Sequence, residues 1–223
     1  MVGKRLEDVK IVTTGCGAAG TAVTKILLGA GARRIVGCDE GGALYVGRAG
    51  LSPAKAAYAA FTNPDGERGA ADDVLAGADV LIGVSVPRAV TRTGIERMTG
   101  DAIVFALANP RPEIDPEEID DLAAVIATGR SDYPNQINNL LAFPGVFRGA
   151  LDVRAREITP GMELAAAHAL AAVIDPEHLS RDYIVPSVFD RSVAPAVAQA
   201  VAAAAGTEEV ARLEQQSGME VLS

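Results

Sequence analysis

The stretch of residues 9–42, VKIVTTGCGAAGTAVTKILLGAGARRIVGCDEGG, leaves this chain few folds to choose from. An apolar run over residues 9–13 leads into glycines at 15, 17 and 20, and these open a helical period over residues 18–28. Each glycine has its own task in such a GxGxxG turn. Gly15 permits the tight turn, Gly17 lets the backbone approach a pyrophosphate, and Gly20 lets the helix pack close to the strand. The helix start adds free N–H groups and the positive end of the dipole. Asp39 ends the next apolar run, about 20 residues further on, where an acidic side chain accepts hydrogen bonds from an adenosine ribose. The pattern predicts a dinucleotide site at Gly15, Gly17, Ala18, Ala19, Gly20 and Asp39. Asp39 and Glu40 together are expected to repel a 2′-phosphate, favouring NAD over NADP, unless Arg33, Arg34 or Arg48 offsets them.

Four more apolar runs follow the same logic, at residues 34–38, 80–84, 103–108 and 125–127. Runs of this length between polar or glycine-rich clusters read as strands buried on both faces. Helical segments are expected between them at 52–61, 72–76 and 116–122, with Ser52 and Pro53 as cap and first-turn residue. Alternating strands and helices imply right-handed crossovers and a doubly wound parallel sheet flanked by helices, an α/β Rossmann-type fold. Beyond Thr128 only helices are expected, at 135–141, 146–153, 160–174 and 192–204. They read as a helical C-terminal extension wrapped on the sheet, without a second core. Residues 1–205 are then one Rossmann domain, and residues 206–223 a polar, loosely attached tail with a weak helical period over 208–215.

Composition narrows the partners. A formal net charge of −9 argues against nucleic-acid binding, which depends on Lys and Arg neutralising phosphates. No apolar run approaches the roughly 18 residues needed to span a bilayer, so no membrane partner is expected and the setting is read as cytoplasmic. Two cysteines, Cys16 and Cys38, fit a reducing compartment better than a disulfide framework.

Ligands of open α/β sheets bind outside the carboxyl ends of the strands. Those ends carry Gly15, Asp39, Ser85, Asn109 and residues 128–132. Asn109 reads equally as an Asn-Pro turn or as a ligand contact. Asn138 and Asn139 sit in a segment that otherwise reads as helix, where Asn is a poor former; a helix terminus and a functional site explain them equally well. The carboxylates of PEIDPEEIDD read as a solvated helix start rather than a metal site. His168 and His178 lack a recognisable carboxylate partner and read as structural or exposed.

Taken together, TTGCGAAGTA, CDEGGALYVGR, GVSVP, FALANPRPEI, ATGRSDYPNQINNLLAFPGVFRGALDV and YIVPSVFDRSVAPAVAQAV resemble the carboxy-terminal, NAD(P)-binding part of bacterial and archaeal malic enzymes. The resemblance runs from Gly3 to about Ala205. It implies oxidative decarboxylation of (S)-malate to pyruvate and CO2 with NAD(P) and Mg2+ or Mn2+, and a homo-oligomer. Gly15, Gly17, Gly20 and Asp39 match the family's cofactor positions, and Ser85 lies in its cofactor-lining loop. Asn109 and Asn138 match asparagines that touch the nicotinamide ribose and the malate carboxylate. The family's Tyr acid, Lys base and metal-holding carboxylates precede the glycine fingerprint, and only residues 1–10 precede it here. Lys4, Lys10, Lys25 and Lys55 offer no base at a ligand-facing strand end. The expectation is therefore a cofactor-binding part that has no catalytic residue or metal ligand of its own and is inactive alone. A non-catalytic NAD sensor and another small dehydrogenase are the competing readings.

Overall fold

A computed structural model describes residues 2–212. It divides into two compact units, Met1–Ile137 with Ser180–Tyr183, and Asn138–Leu179 with Ile184–Ser223.

In the first unit a six-stranded sheet has the order β3-β2-β1-β4-β5-β6. Its strands are β1 (Lys10–Thr14), β2 (Arg34–Asp39), β3 (Gly42–Ala43), β4 (Val80–Gly83), β5 (Ile103–Ala106) and β6 (Val125–Thr128). All neighbours are parallel except β2 and β3, which pair antiparallel through Asp39 and Gly42. The expected doubly wound sheet is thus present, with one antiparallel edge that two residues were too few to announce.

The helices are α1 (Ala18–Gly29), α2 (Pro53–Ala60), α3 (Ala71–Val74) and α4 (Arg92–Glu96). Alternation along each strand decides which face a side chain serves. Val12, Val36, Leu81 and Val104 pack with Val74, Leu75 and Ile95 of the α3 and α4 side. Ile11, Ile35 and Ile82 face the other way and meet Val23 and Leu27 of α1. Both faces are covered, which is why the strands read as continuous apolar runs rather than alternating ones. Where a helix was expected over 116–122, only a 3-10 turn at Pro116–Glu118 forms. Arg92 and Arg181 instead draw Asp121 and Asp120 into separate ion pairs.

The second unit contains α5 (Phe143–Asp152), α6 (Pro160–Ala171) and α7 (Val193–Thr207). The helices here were expected to form no second core, and they do form one. Leu141, Val153, Met162, Val193, Val197 and Val201 make a separate buried cluster. α7 contributes valines at successive i, i+4 positions, a stripe on one helix face. Gly149 allows α5 to lie against it, because a Cβ there would stand 2.3 Å from the Ala198 carbonyl oxygen. Nor does the tail begin loosely. Arg156 N–H donates to the Val210 carbonyl and Arg212 N–H to that of Val153, while Val210 and Ala211 pack on the same core. The remainder of the expected tail lies outside the described residues.

Candidate functional site

The glycine turn can be judged by what a side chain would meet at each position. At Gly15, where φ is +89°, a Cβ would lie 2.5 Å from the Val84 carbonyl oxygen. At Gly20 it would lie 2.0 Å from the Gly15 carbonyl oxygen. Both glycines are demanded by the protein's own packing. Gly17 is different: a Cβ there meets no protein atom within 4 Å. Its missing side chain leaves the backbone bare toward a crevice of about 730 Å3, lined among others by Gly15, Gly17, Asp39, Lys55, Ser85 and Val86. That volume is in the range of small-molecule and cofactor sites.

α1 points its start at this crevice. Gly17 is its cap and supplies no side-chain hydrogen bond, and no acidic residue occupies the first turn. Ala18 and Ala19 are exposed, so the orphan N–H groups of the helix start and its dipole are left for an anion. Residues that a bare backbone, a Cβ-sized gap and an uncapped helix start place together fit a pyrophosphate.

At the far end of β2 the Asp39 side chain is 6% exposed and doubly clamped. Arg48 Nη1 lies 2.8 Å from one carboxylate oxygen and Lys55 Nζ 2.6 Å from the other. Partial burial works to raise its pKa, but the hydrogen bonds from Lys55, Arg48 and the Gly41 N–H outweigh that and hold the carboxyl below the usual range. Lys55 is raised in turn, by its hydrogen bond to Asp39 first and to Glu40 with it. A lysine so held stays protonated. Lys55 belongs to α2 and not to a strand end, and its side chain reaches the crevice as a counter-charge to Asp39 rather than as a base.

Cys16 and Cys38 also border the crevice and are free. Burial pushes their thiols up to about 11 and about 12, so neither is a nucleophile near neutral pH.

The loops after β4 and β5 carry Ser85 and Asn109. Glu113, fully buried, joins them: Ser85 N–H and Oγ donate to one oxygen at 2.7 and 3.0 Å, and Ala108 N–H donates to the other at 3.0 Å. Asn109 is exposed, follows Ala108 directly and precedes a cis peptide bond to Pro110. Beside these loops Arg88, Arg111, Arg130 and Asp115 line a further cavity of about 470 Å3.

Gly15, Gly17, Asp39 and Ser85 share one crevice. Asn109 does not line it, and Asn138 belongs to the other unit. Asn138 is not inside a helix. It caps the 3-10 turn Asn139–Leu141, its side chain accepting from Leu140 N–H at 3.0 Å. His168 and His178 are exposed. Among the described residues no group of three or more His, Cys, Asp or Glu is arranged to hold a metal ion.

Residues 1–206 match the family described as "Malic enzyme, NAD binding domain". The chain belongs to that family. It is 55% identical over 212 residues to the NAD-dependent malic enzyme of Geobacillus stearothermophilus, a match covering 95% of this chain and 44% of that protein. With the NADP-dependent malic enzyme of Halomonas elongata it shares 42% identity over 230 residues, covering 95% of this chain and 54% of that one. The crystal structure of the Entamoeba histolytica malic enzyme superposes with a TM-score of 0.90 at 36% identity, over 96% of this chain and 46% of that one. The chain thus spans about half the length of these relatives.

Sequence reasoning missed two residues of this NAD-binding domain that matter to the crevice, Lys55 and Glu113. Lys55 reaches Asp39 across 16 positions and Glu113 reaches Ser85 across 28, and no local pattern reports such contacts.

Proposed function

We propose that this domain binds NAD in the crevice at the carboxyl ends of β1, β2 and β4, as part of an enzyme that oxidises and decarboxylates (S)-malate to pyruvate and CO2. The observation that carries the reading is Gly17: the fold gives no reason for a glycine there, whereas a pyrophosphate lying against the backbone does. The first-turn N–H groups of α1 hold the phosphates, and Asp39 accepts from the adenosine ribose. Ser85 lines the half of the crevice at β4. By resemblance, Asn109 holds the nicotinamide ribose and Asn138 the malate carboxylate. Arg88 and Arg111, in the cavity they line with Arg130 and Asp115, offer a dicarboxylate counter-charges, while Arg130 is already paired with Asp132.

The bound nicotinamide supplies the acceptor for the hydride that leaves C2 of malate. The domain's own contribution is to bind and orient. By resemblance, the proton acceptor for the 2-hydroxyl, the acid, and the carboxylates for Mg2+ or Mn2+ belong to the stretch that precedes the glycine fingerprint in the family, which supports the reading that this domain binds and orients without turning over malate by itself. Homo-oligomerisation follows from the resemblance. A cytoplasmic setting agrees with two buried free thiols.

The NAD preference rests on Asp39 and Glu40, moderated by Arg48 and Lys55. The test of function is a spectrophotometric assay of the purified chain with malate, Mn2+ and NAD. No NADH above background is expected. Sustained turnover would overturn the assignment of acid, base and metal to that preceding stretch.

A further inference from the structure

We propose that Glu113 is a positioning residue for the cofactor crevice, fixing the loops after β4 and β5 against each other without touching the ligand; the link to the cofactor rests on the reading just given. Its carboxylate is an acceptor with two oxygens, and the structure spends one on each loop. Ser85 gives one oxygen both its N–H and its hydroxyl, and Ala108 gives the other its N–H. Ser85 Oγ also stands 3.2 Å from Thr14 Oγ1 at the end of β1. One buried group thereby ties together the carboxyl ends of the three strands around the point where the strand order reverses, which is where a dinucleotide lies across an open sheet.

Two features show that the arrangement is built around this side chain. Glu113 is 0% exposed, and three hydrogen-bond donors, from Ser85 and Ala108, meet its two oxygens. A buried acid is costly unless such donors are held in place, so the loops and the carboxylate depend on one another. β4 also gives up a side chain for it, since a Cβ on Gly83 would stand 2.4 Å from the Glu113 Cδ. Gly83 ends a strand and has no positive φ, so the need for space is the structural reason for a glycine there.

The consequence is specific to one half of the crevice. The β1 and β2 side, with the α1 start and Asp39, receives the adenosine diphosphate part of a dinucleotide. The β4 and β5 side, which Glu113 organises, receives the nicotinamide part. Glu113→Gln keeps the shape but turns one oxygen into a donor facing another donor, so one of the two loops must move away. Ser85→Ala is the milder companion: it removes one of the three bonds and leaves the Glu113 side chain in place with the other two.

The experiment pairs hydrogen exchange with calorimetry on the whole chain, comparing wild type, Glu113→Gln and Ser85→Ala. In Glu113→Gln, exchange is expected to quicken in the peptides containing Ser85 and Ala108 and to stay unchanged around Gly17. NAD affinity is expected to fall about tenfold while ADP affinity stays within about twofold. Ser85→Ala is expected to shift both readouts in the same direction by less. A purely structural role would weaken NAD and ADP together, and that result, or unchanged exchange at both loops, overturns the proposal. A wild-type chain that binds ADP and NAD equally poorly would instead overturn the cofactor reading, with the exchange pattern still deciding whether Glu113 sets the loops.

Discussion

Lys55 Nζ stands 2.6 Å from Asp39 Oδ2, so the acid at the end of β2 is already paired before any ribose reaches it. With Arg48 on the other oxygen and Glu40 on Lys55, two carboxylates and two cations meet at the β2 end of the crevice. Repulsion of a 2′-phosphate is weaker here than Asp39 and Glu40 alone imply. On the proposed reading NAD is still expected to bind tighter than NADP, because Asp39 is the nearly buried carboxylate at this end of the crevice. Lys55→Met should widen that preference by about fivefold, the size of one unit-charge interaction near a solvated surface, and Asp39→Asn should narrow it. The two dissociation constants, measured by calorimetry for each variant, check this; a ratio indifferent to both substitutions would remove the charge account.

Gly17 and Gly20 separate ligand binding from folding. Gly17→Ala places a methyl group where no protein atom lies within 4 Å, so the melting temperature should barely move while NAD affinity falls by about tenfold or more. Gly20→Ala drives a Cβ to 2.0 Å from the Gly15 carbonyl oxygen and should cost about 3 kcal/mol of stability. Thermal unfolding and NAD titration of both variants suffice. Equal loss of stability in the two would mean that Gly17 is structural after all.

Asp79 gives the first unit a pH-dependent tie. It accepts from Lys4 Nζ at 2.5 Å, from Lys10 N–H at 2.8 Å and from the Thr99 hydroxyl at 3.2 Å. Burial works to raise its pKa, but these bonds prevail and hold it below the ordinary 3.8. A carboxyl whose pKa is lower folded than unfolded binds more protons when unfolded. Its stabilisation is therefore present above the unfolded value and lost as pH falls through the folded one. Urea unfolding of wild type and Asp79→Asn should differ most above the ordinary carboxylate range and converge as pH falls below it. Parallel curves across that range would contradict the tie.

The sheet was legible in the sequence because its strands are covered on both faces, and each therefore appears as a short unbroken apolar run. β3 was not, since Gly42 and Ala43 carry no pattern and join the sheet only as a two-residue edge opposite Cys38 and Asp39. α4 escaped notice because Gly94 sits in its middle, where a Cβ would collide with Asp72. The second core was hidden by alanine. In α6 and α7 small residues occupy nearly every face, so the valine stripe of α7 stood out only once its partners, Met162 and Val153, were known. Within the crevice, motifs revealed the residues that act through their own backbone or at a strand end, Gly15, Gly17 and Asp39. Lys55 and Glu113 act through distant contacts, and only the folded chain displays them.

The most direct test of the central claim is a calorimetric titration of the purified, demonstrably folded chain with NAD. The account predicts saturable binding at one site, tighter than for NADP. A folded chain that takes up no NAD would contradict it, and the bare backbone at Gly17 would then require another explanation.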